Sequence, residues 1–525
     1  MPRPHELTGA IPLLHDFLIQ AARRLPEKEA LVAANKRHTY AYLDRSATAL
    51  AHALIRGGVA RGDRVIVFAD NTVQTYVSFW GVLKANAVVS IINPMTKEDK
   101  LAYYLNDCRA TALITDGHLQ GAFLPAALKS EHLKAVIVSG RLDKEKLADL
   151  PGVVGWEQAL ADLPAAARDP ERCCIDIDLA AIIYTSGSTG DPKGVMLTHR
   201  NMIAAADAIG TYLDVRQDEV ILCVLPMAFD YGLYQMIMAV RAGARLVLER
   251  SFSFPAAVLK VMVAEGVTGF PGVPTVFAAL AEMKSLKEFD FSKIRYVTNT
   301  AAALPVKHIL MLRDFFPAAR IYSMYGLTEC KRCTYLPPED IEKKPESVGF
   351  AIPNTELWIV DDQGRKLGPG QVGQLVIRGA TVMKGYWEKP EATAEKLRPG
   401  PLPGEQVLYT GDFCRLDEDG YLYFVGRMDD IIKSRGEKVS PKEVEAVLCD
   451  IRGVREAAVI GVPDELLGQA VKAFVVLEQN VEMTERDVQR ECAARLENFL
   501  VPKHVAFVPD LPKTTTGKIK KTDLK

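Results

Sequence analysis

Neither sign of charge dominates this chain of 525 residues: 64 Lys and Arg stand against 66 Asp and Glu, a formal net charge of −2. That balance argues against a general electrostatic grip on nucleic acid or on an anionic membrane surface and leaves room only for a local basic patch. No hydrophobic run approaches the length of a membrane span, and Met1-Pro2-Arg3-Pro4-His5-Glu6 lacks a charged-then-apolar leader pattern. Internal repeats and low-complexity tracts are also missing. The nine cysteines are odd in number and scattered, which suits a reducing compartment, so the cytoplasm is the expected location. Cys330 and Cys333 form a C-x-x-C pair, but a structural zinc site needs two more ligands at similar spacing and none is nearby. Both are read as ordinary thiols. What remains is an ordinary globular composition, 48% hydrophobic and 25% charged, on a chain too long for one core. At least two domains are expected.

Buried strands alternate with amphipathic helices through most of the sequence. Val65-Ile66-Val67-Phe68, Ala87 to Ile92 and Ala135-Val136-Ile137-Val138 read as strands, and Leu43 to Arg56 and Val73 to Lys84 as helices. This alternation implies an α/β fold of layered, mostly parallel sheets. Residues 355–425 change to short alternating strands separated by Gly-Pro-Gly turns, the pattern of a small antiparallel β subdomain. The strongest boundary is Gly426-Arg427-Met428-Asp429-Asp430. The expected organisation is a large N-terminal domain over 1–427, a connection at 428–430 and a small α+β C-terminal domain over 431–525.

The stretch from Tyr184 to Gly194 is the most informative. It follows the apolar run Leu179-Ala180-Ala181-Ile182-Ile183, and residues 185–194 contain three glycines, four hydroxyls and a lysine. Glycines let backbone N–H groups close on an anion, hydroxyls donate hydrogen bonds, and the lysine supplies a counter-charge. The loop suits phosphate, although the lysine lacks the Walker A spacing and following hydroxyl. A flexible surface linker is the plainer alternative.

These residues resemble the phosphate loop of the AMP-forming adenylating superfamily, which includes acyl-CoA synthetases, luciferases and peptide-synthetase adenylation domains. Further blocks in the same order extend the resemblance over essentially the whole chain. It implies that Thr185, Ser186, Gly187, Ser188, Thr189, Gly190 and Lys193 cradle the phosphates of ATP. Tyr325-Gly326-Leu327-Thr328-Glu329 is similar to the block in which Tyr325 stacks on adenine, Thr328 lies near phosphate and Glu329 binds Mg²⁺. Ala301 and Ala302 fall in the small-residue loop beside the adenine, where the family often has glycine at Ala301. Tyr409-Thr410-Gly411-Asp412 resembles the block whose aspartate accepts both ribose hydroxyls, and Arg427, at the boundary, matches the arginine that also reaches the ribose or phosphate. Lys518, in Pro512-Lys513-Thr514-Thr515-Thr516-Gly517-Lys518, matches the lysine that stabilises charge during adenylation. Asp429 matches the hinge, making the small domain mobile, and Lys433-Ser434-Arg435-Gly436 the loop presented to a thiol.

The implied activity is an ATP-dependent acid–thiol ligase. It activates a carboxylic acid as acyl-AMP and transfers it to CoA or to phosphopantetheine on a carrier protein. No carrier domain follows Lys525, so any carrier is expected to be separate. A luciferase-type oxygenase is the alternative from another reaction class. Phe229-Asp230 resembles amino-acid-activating domains, in which the aspartate holds the α-ammonium; a buried carboxylate facing an aliphatic acid would lack a partner. Asp230 could instead cap the helix that follows, in which case an acyl-CoA synthetase for a medium-chain or aryl acid is the better description. The acid pocket is expected to include Tyr231, Tyr234, Pro271, Thr300, Met324, Arg332 and Cys333, with Arg332 available to a second acidic group.

Overall fold

The computed structural model describes residues 13–141, 143, 145–161, 168–185, 192–283, 286, 289–300, 306–428, 430–434, 437–464, 467–513 and 519–524. Ser186 to Gly190, Ala301, Ala302, Asp429, Arg435, Gly436 and Lys518 lie outside the described residues. The chain forms two compact units. One comprises Met1–Glu342, Ala351–Thr355 and Gly379–Leu397, and the other Lys343–Phe350, Glu356–Arg378 and Arg398–Lys525.

The first unit contains two large sheets. One runs in the order Gly385–Tyr386, Lys193–Thr198, Leu179–Thr185, Val88–Ile92, Arg64–Phe68, Ala110–Asp116, Ala135–Ser139 and Val153–Gly155. Its centre is parallel, with Val65 level with Val89 on one side and Ala112 on the other. Val65, Ile66, Val67 and Phe68 are all fully buried. An unbroken apolar run is what a strand covered on both faces requires, so the reading of this segment holds. The helix Val73–Lys84 also falls where its spacing places it, opened by the Thr72 hydroxyl, which accepts the Thr75 N–H. At its far end the buried Lys84 ammonium lies 2.6 Å from Asp44 and 2.7 Å from Asp169.

The other sheet places Thr334–Leu336, Arg320–Tyr325, Tyr296–Asn299, Gly269–Gly272, Val220–Cys223, Arg245–Leu248 and Glu29–Ala33 side by side. From Arg320–Tyr325 to Glu29–Ala33 the strands are parallel. Asn299 is level with Ser323, so Thr300 and the Tyr325 block leave the sheet at adjacent carboxyl ends. That edge is where open parallel sheets bind ligands.

In the second unit, Gly373–Gly379, Gln406–Leu416 and Leu422–Arg427 pair antiparallel, the geometry expected of the β-rich segment. Further along, Val454–Asp464 and Gly468–Leu477 form a long hairpin, with His504–Phe507 added parallel. The helix Pro441–Cys449 buries Val444 and Leu448 in the core that also holds Val459, Val475 and Val488. One helix is shorter than the apolar pattern suggests. The sequence from Glu485 to Asn498 predicts one helix, but the helix covers Glu485–Ala493, and Leu496, Phe499 and Leu500 reach the same core from turns. The layered α/β architecture with a smaller C-terminal α+β part matches the sequence expectation.

Candidate active site

Thr185 and Lys193, which flank the phosphate-loop sequence, face each other as the last pair of two antiparallel strands. The Thr185 hydroxyl donates to the Lys193 carbonyl at 3.3 Å. A third strand, Gly385–Tyr386, pairs with Met196 and Val195 and brings Tyr386 to the same place. The Lys193 ammonium lies 5.5 Å from the Tyr386 ring centroid, within cation–π range. The Tyr386 hydroxyl donates to Glu329 Oε1 at 2.7 Å, and the Met383 N–H donates to the Glu329 carbonyl at 2.7 Å. The hairpin base and Glu329, distant in sequence, are thereby held together. A single half-exposed carboxylate is a fitting ligand for Mg²⁺, which takes one or two protein carboxylates and fills its shell with phosphate and water. Among the described residues, a separate cluster of Asp70, Asp116 and His118 also has metal-ligand composition; His118 Nε2 already lies 3.1 Å from Asp70.

Gly326 explains how the Tyr325 block and the acid-site residues share one loop. A Cβ there would lie 2.4 Å from the Lys331 carbonyl oxygen and 2.9 Å from Arg332 Cα. The chain turns back on itself through Lys331, which adopts φ 62°, and the Cys333 N–H donates to the Tyr325 carbonyl at 3.0 Å. Tyr325 and Thr328 are half-buried at the strand end.

Asp230 begins the helix Asp230–Ala242, whose N-cap is Phe229, and no side chain caps it. The alternative of Asp230 as a helix cap is therefore not what the structure shows, although a carboxylate in the first turn still complements the helix dipole. Gly232 lets that first turn approach the preceding chain: a Cβ would lie 2.4 Å from the Pro226 carbonyl oxygen. The partner of Asp230 is internal. Lys331 Nζ lies 3.3 Å from Asp230 Oδ2, with the lysine side chain 3% exposed and the aspartate 23%. Burial pulls the Lys331 ammonium down to about 7, Asp230 opposing the fall and Arg332 adding to it. The ammonium also sits 4.3 Å from the Tyr234 ring centroid, while the Arg332 guanidinium is 5.3 Å from that of Tyr231.

Arg332 is itself buried, and its Nη1 donates to the Thr300 hydroxyl. Tyr231 is fixed by its hydroxyl, which donates to the Thr298 carbonyl at 2.9 Å. Met324 accepts a hydrogen bond from Tyr212, whose ring stacks on Tyr335 at 4.1 Å. Of the expected acid-site residues, Asp230, Tyr231, Tyr234, Thr300 and Arg332 come together around Lys331. Cys333 is fully buried, with its sulfur 3.1 Å from that of Cys330.

In the second unit Asp412 and Arg427 are paired across antiparallel strands, their side chains 3.7 Å apart. Asp412 is buried; Arg427 is largely exposed. Lys433 and Ser434 end the strand Ile432–Ser434, paired with Lys438 and Glu437.

Two family models cover the chain: that of the AMP-binding enzyme matches residues 18–387, and that of its C-terminal domain matches 443–518. The chain belongs to the AMP-binding enzyme family. As a family member it is an AMP-forming ligase. It is 33% identical to a long-chain-fatty-acid–CoA ligase of Bacillus subtilis over 546 aligned positions, covering 98% of this chain and 94% of that protein. The fold matches the crystal structure of an anthranilate CoA ligase in complex with anthranoyl-AMP, with TM-score 0.88, 27% identity and coverage of 99% and 98%. It also matches ATP-bound MatB from Rhodopseudomonas palustris, with TM-score 0.85, 28% identity and coverage of 97% and 98%. No helix among the described residues is long and apolar enough to cross a membrane.

Two residues that the structure adds to these clusters, Tyr386 and Lys331, carry no mark in the sequence. Tyr386 lies far downstream of Glu329, inside a Gly-Tyr-Trp stretch that has no signal of its own. Lys331 adjoins Arg332, but what draws it inward is Asp230, a residue far upstream in sequence.

Proposed function

We propose that this chain is an ATP-dependent acyl-CoA ligase. In the first half-reaction the acid's carboxylate oxygen attacks the α-phosphorus of ATP, giving acyl-AMP and pyrophosphate. In the second, the CoA thiol attacks the acyl carbon, its proton is lost, and AMP departs with the C–O electron pair. The observation that carries the reading is the Lys193–Tyr386–Glu329 arrangement at the base of the phosphate-loop hairpin. It offers a cation for phosphate oxygens beside a carboxylate for Mg²⁺, the two charges that phosphoryl chemistry requires.

Site roles follow the sequence expectations. Tyr325 faces adenine, Asp412 and Arg427 take the ribose, Lys518 stabilises the adenylation transition state, and Asp429 and Lys433 to Gly436 serve thiol transfer. CoA is favoured over a carrier protein because the relatives are named CoA ligases. The amine reading loses its physical basis. Asp230 already has the Lys331 ammonium as partner, so a substrate ammonium would compete with a bound cation.

The test separates the half-reactions. ATP–pyrophosphate exchange over a panel of acids reports adenylation, and thioester formation from supplied acyl-AMP reports thiolysis. Lys518→Ala is expected to lower exchange by about a hundredfold or more while thiolysis with CoA survives. Equal loss of both in a folded variant refutes the assignment, and thiolysis by a carrier protein but not by CoA refutes the acceptor.

A further inference from the structure

We propose that the acid accepted here carries, besides the carboxylate that is activated, a second carboxylate that seats on Lys331 and Arg332. The inference deepens the acyl-CoA ligase reading and rests on it.

The charge balance of the site comes first. Lys331 and Arg332 are 4% and 2% exposed, and among the described residues Asp230 is the carboxylate that pairs with either. Two buried basic side chains thus share one partly exposed carboxylate, and a second anion beside them would favour the charged form of Lys331. Residues 301–305, next in sequence after Thr300, are Ala, Leu and Pro and bring no charged side chain. The hydrogen-bond inventory points the same way. Arg332 Nε is buried without a hydrogen-bond partner among the described residues, whereas Arg332 Nη1 is held by Thr300 and Lys331 Nζ has only the Asp230 carboxylate, 3.3 Å away. Buried donors on charged groups are ordinarily satisfied, so Arg332 Nε, with the Lys331 ammonium beside it, marks a place for an acceptor that the described residues do not supply.

The chemistry of the donors selects the acceptor. A guanidinium offers a planar fork that matches a carboxylate, and an adjacent ammonium adds a point charge. Tyr231 and Tyr234 present ring faces to both cations and hold them within the cluster, away from water. A simple fatty acid would leave both donors stranded against hydrocarbon. An α-amino acid with one carboxylate would bring a third cation to a site that has one anion. A short aliphatic or aromatic dicarboxylic acid meets both objections.

The experiment uses the full-length enzyme in ATP–pyrophosphate exchange with acids matched in length and shape: hexanoate with adipate, octanoate with suberate, benzoate with phthalate, and glutarate with 4-aminobutyrate. The expected result is a kcat/KM for the diacid about a hundredfold above that of its monoacid. Lys331→Met and Arg332→Met should each raise the diacid KM and collapse that ratio toward one, and Arg332→Lys should restore part of it. The wild-type panel decides the question even if a variant fails to fold. A preference for the monoacid or the amino acid overturns the inference and leaves the ligase reading standing. Exchange with no acid at all overturns the ligase reading itself.

Discussion

Gly326→Ala is the sharpest test of how the nucleotide block and the acid site are joined. The added Cβ would stand 2.4 Å from the Lys331 carbonyl oxygen, 2.9 Å from Arg332 Cα and 3.1 Å from the Lys331 carbonyl carbon. Ordinary contacts of a Cβ begin near 3.4 Å, so the backbone must open by about 1 Å. No flexible side chain absorbs this, because all three obstacles are main-chain atoms. Lys331 is already in the left-handed region at φ 62°, where a non-glycine residue has little conformational latitude. Overpacking of this kind is expected to destabilise by about 1–3 kcal/mol, read as a fall of a few degrees in Tm. The displaced loop carries Tyr325 on one arm and Lys331 and Arg332 on the other. A shift near 1 Å in positioning groups lowers turnover by about a hundredfold, so pyrophosphate exchange should drop far more than Tm alone suggests. A Gly326→Ala enzyme with unaltered Tm and unaltered kcat/KM would refute the close-packed loop.

Tyr386→Phe removes the hydrogen bond to Glu329, worth about 0.5–1.5 kcal/mol net or up to about tenfold. The KM for MgATP should rise by that factor while the KM for the acid stays put. His199 is buried, and its Nδ1 accepts the Leu14 N–H. Burial lowers its pKa from 6.5 to about 4, and burial likewise takes the neighbouring His15 well below its ordinary value. The unfolded chain therefore binds more protons between pH 6.5 and 4, and His199 alone should cost about 3 kcal/mol of stability as pH falls through that window. His199→Gln should flatten the fall, seen as a shallower decline of Tm with acidification. Thiol labelling of the native enzyme should modify exposed Cys173 early, whereas Cys330 and Cys333, fully buried, should react on unfolding.

The architecture was legible because its signals are local. The run Val65 to Phe68 has to be covered on both faces, and Thr72 opens the helix at Val73 by an interaction three residues long. The phosphate-loop sequence stands out for the same reason, since its glycines, hydroxyls and lysine fall within ten residues. Asp230 was not. Its meaning depends on the residue opposite, and that residue, Lys331, arrives from another strand end through a turn with an uncommon φ. Periodicity says which residues are buried but not which of them meet. Tyr386 was hidden likewise, because its role is conferred by an edge strand that returns late in the chain.

That late return limits how the molecule can be made and cut. The first unit is interrupted at Glu342 and resumes at Ala351–Thr355 and again at Gly379–Leu397. A ribosome that has delivered residue 342 has therefore not yet supplied the strand Gly385–Tyr386. Until it does, Lys193–Thr198 presents an open sheet edge, ready to pair with other chains. A fragment ended at residue 342 would keep every phosphate-loop residue and still lack the hydroxyl that holds Glu329. Truncation for expression, or grafting of the acid site onto a related scaffold, has to carry residues through Leu397 to keep the nucleotide end intact.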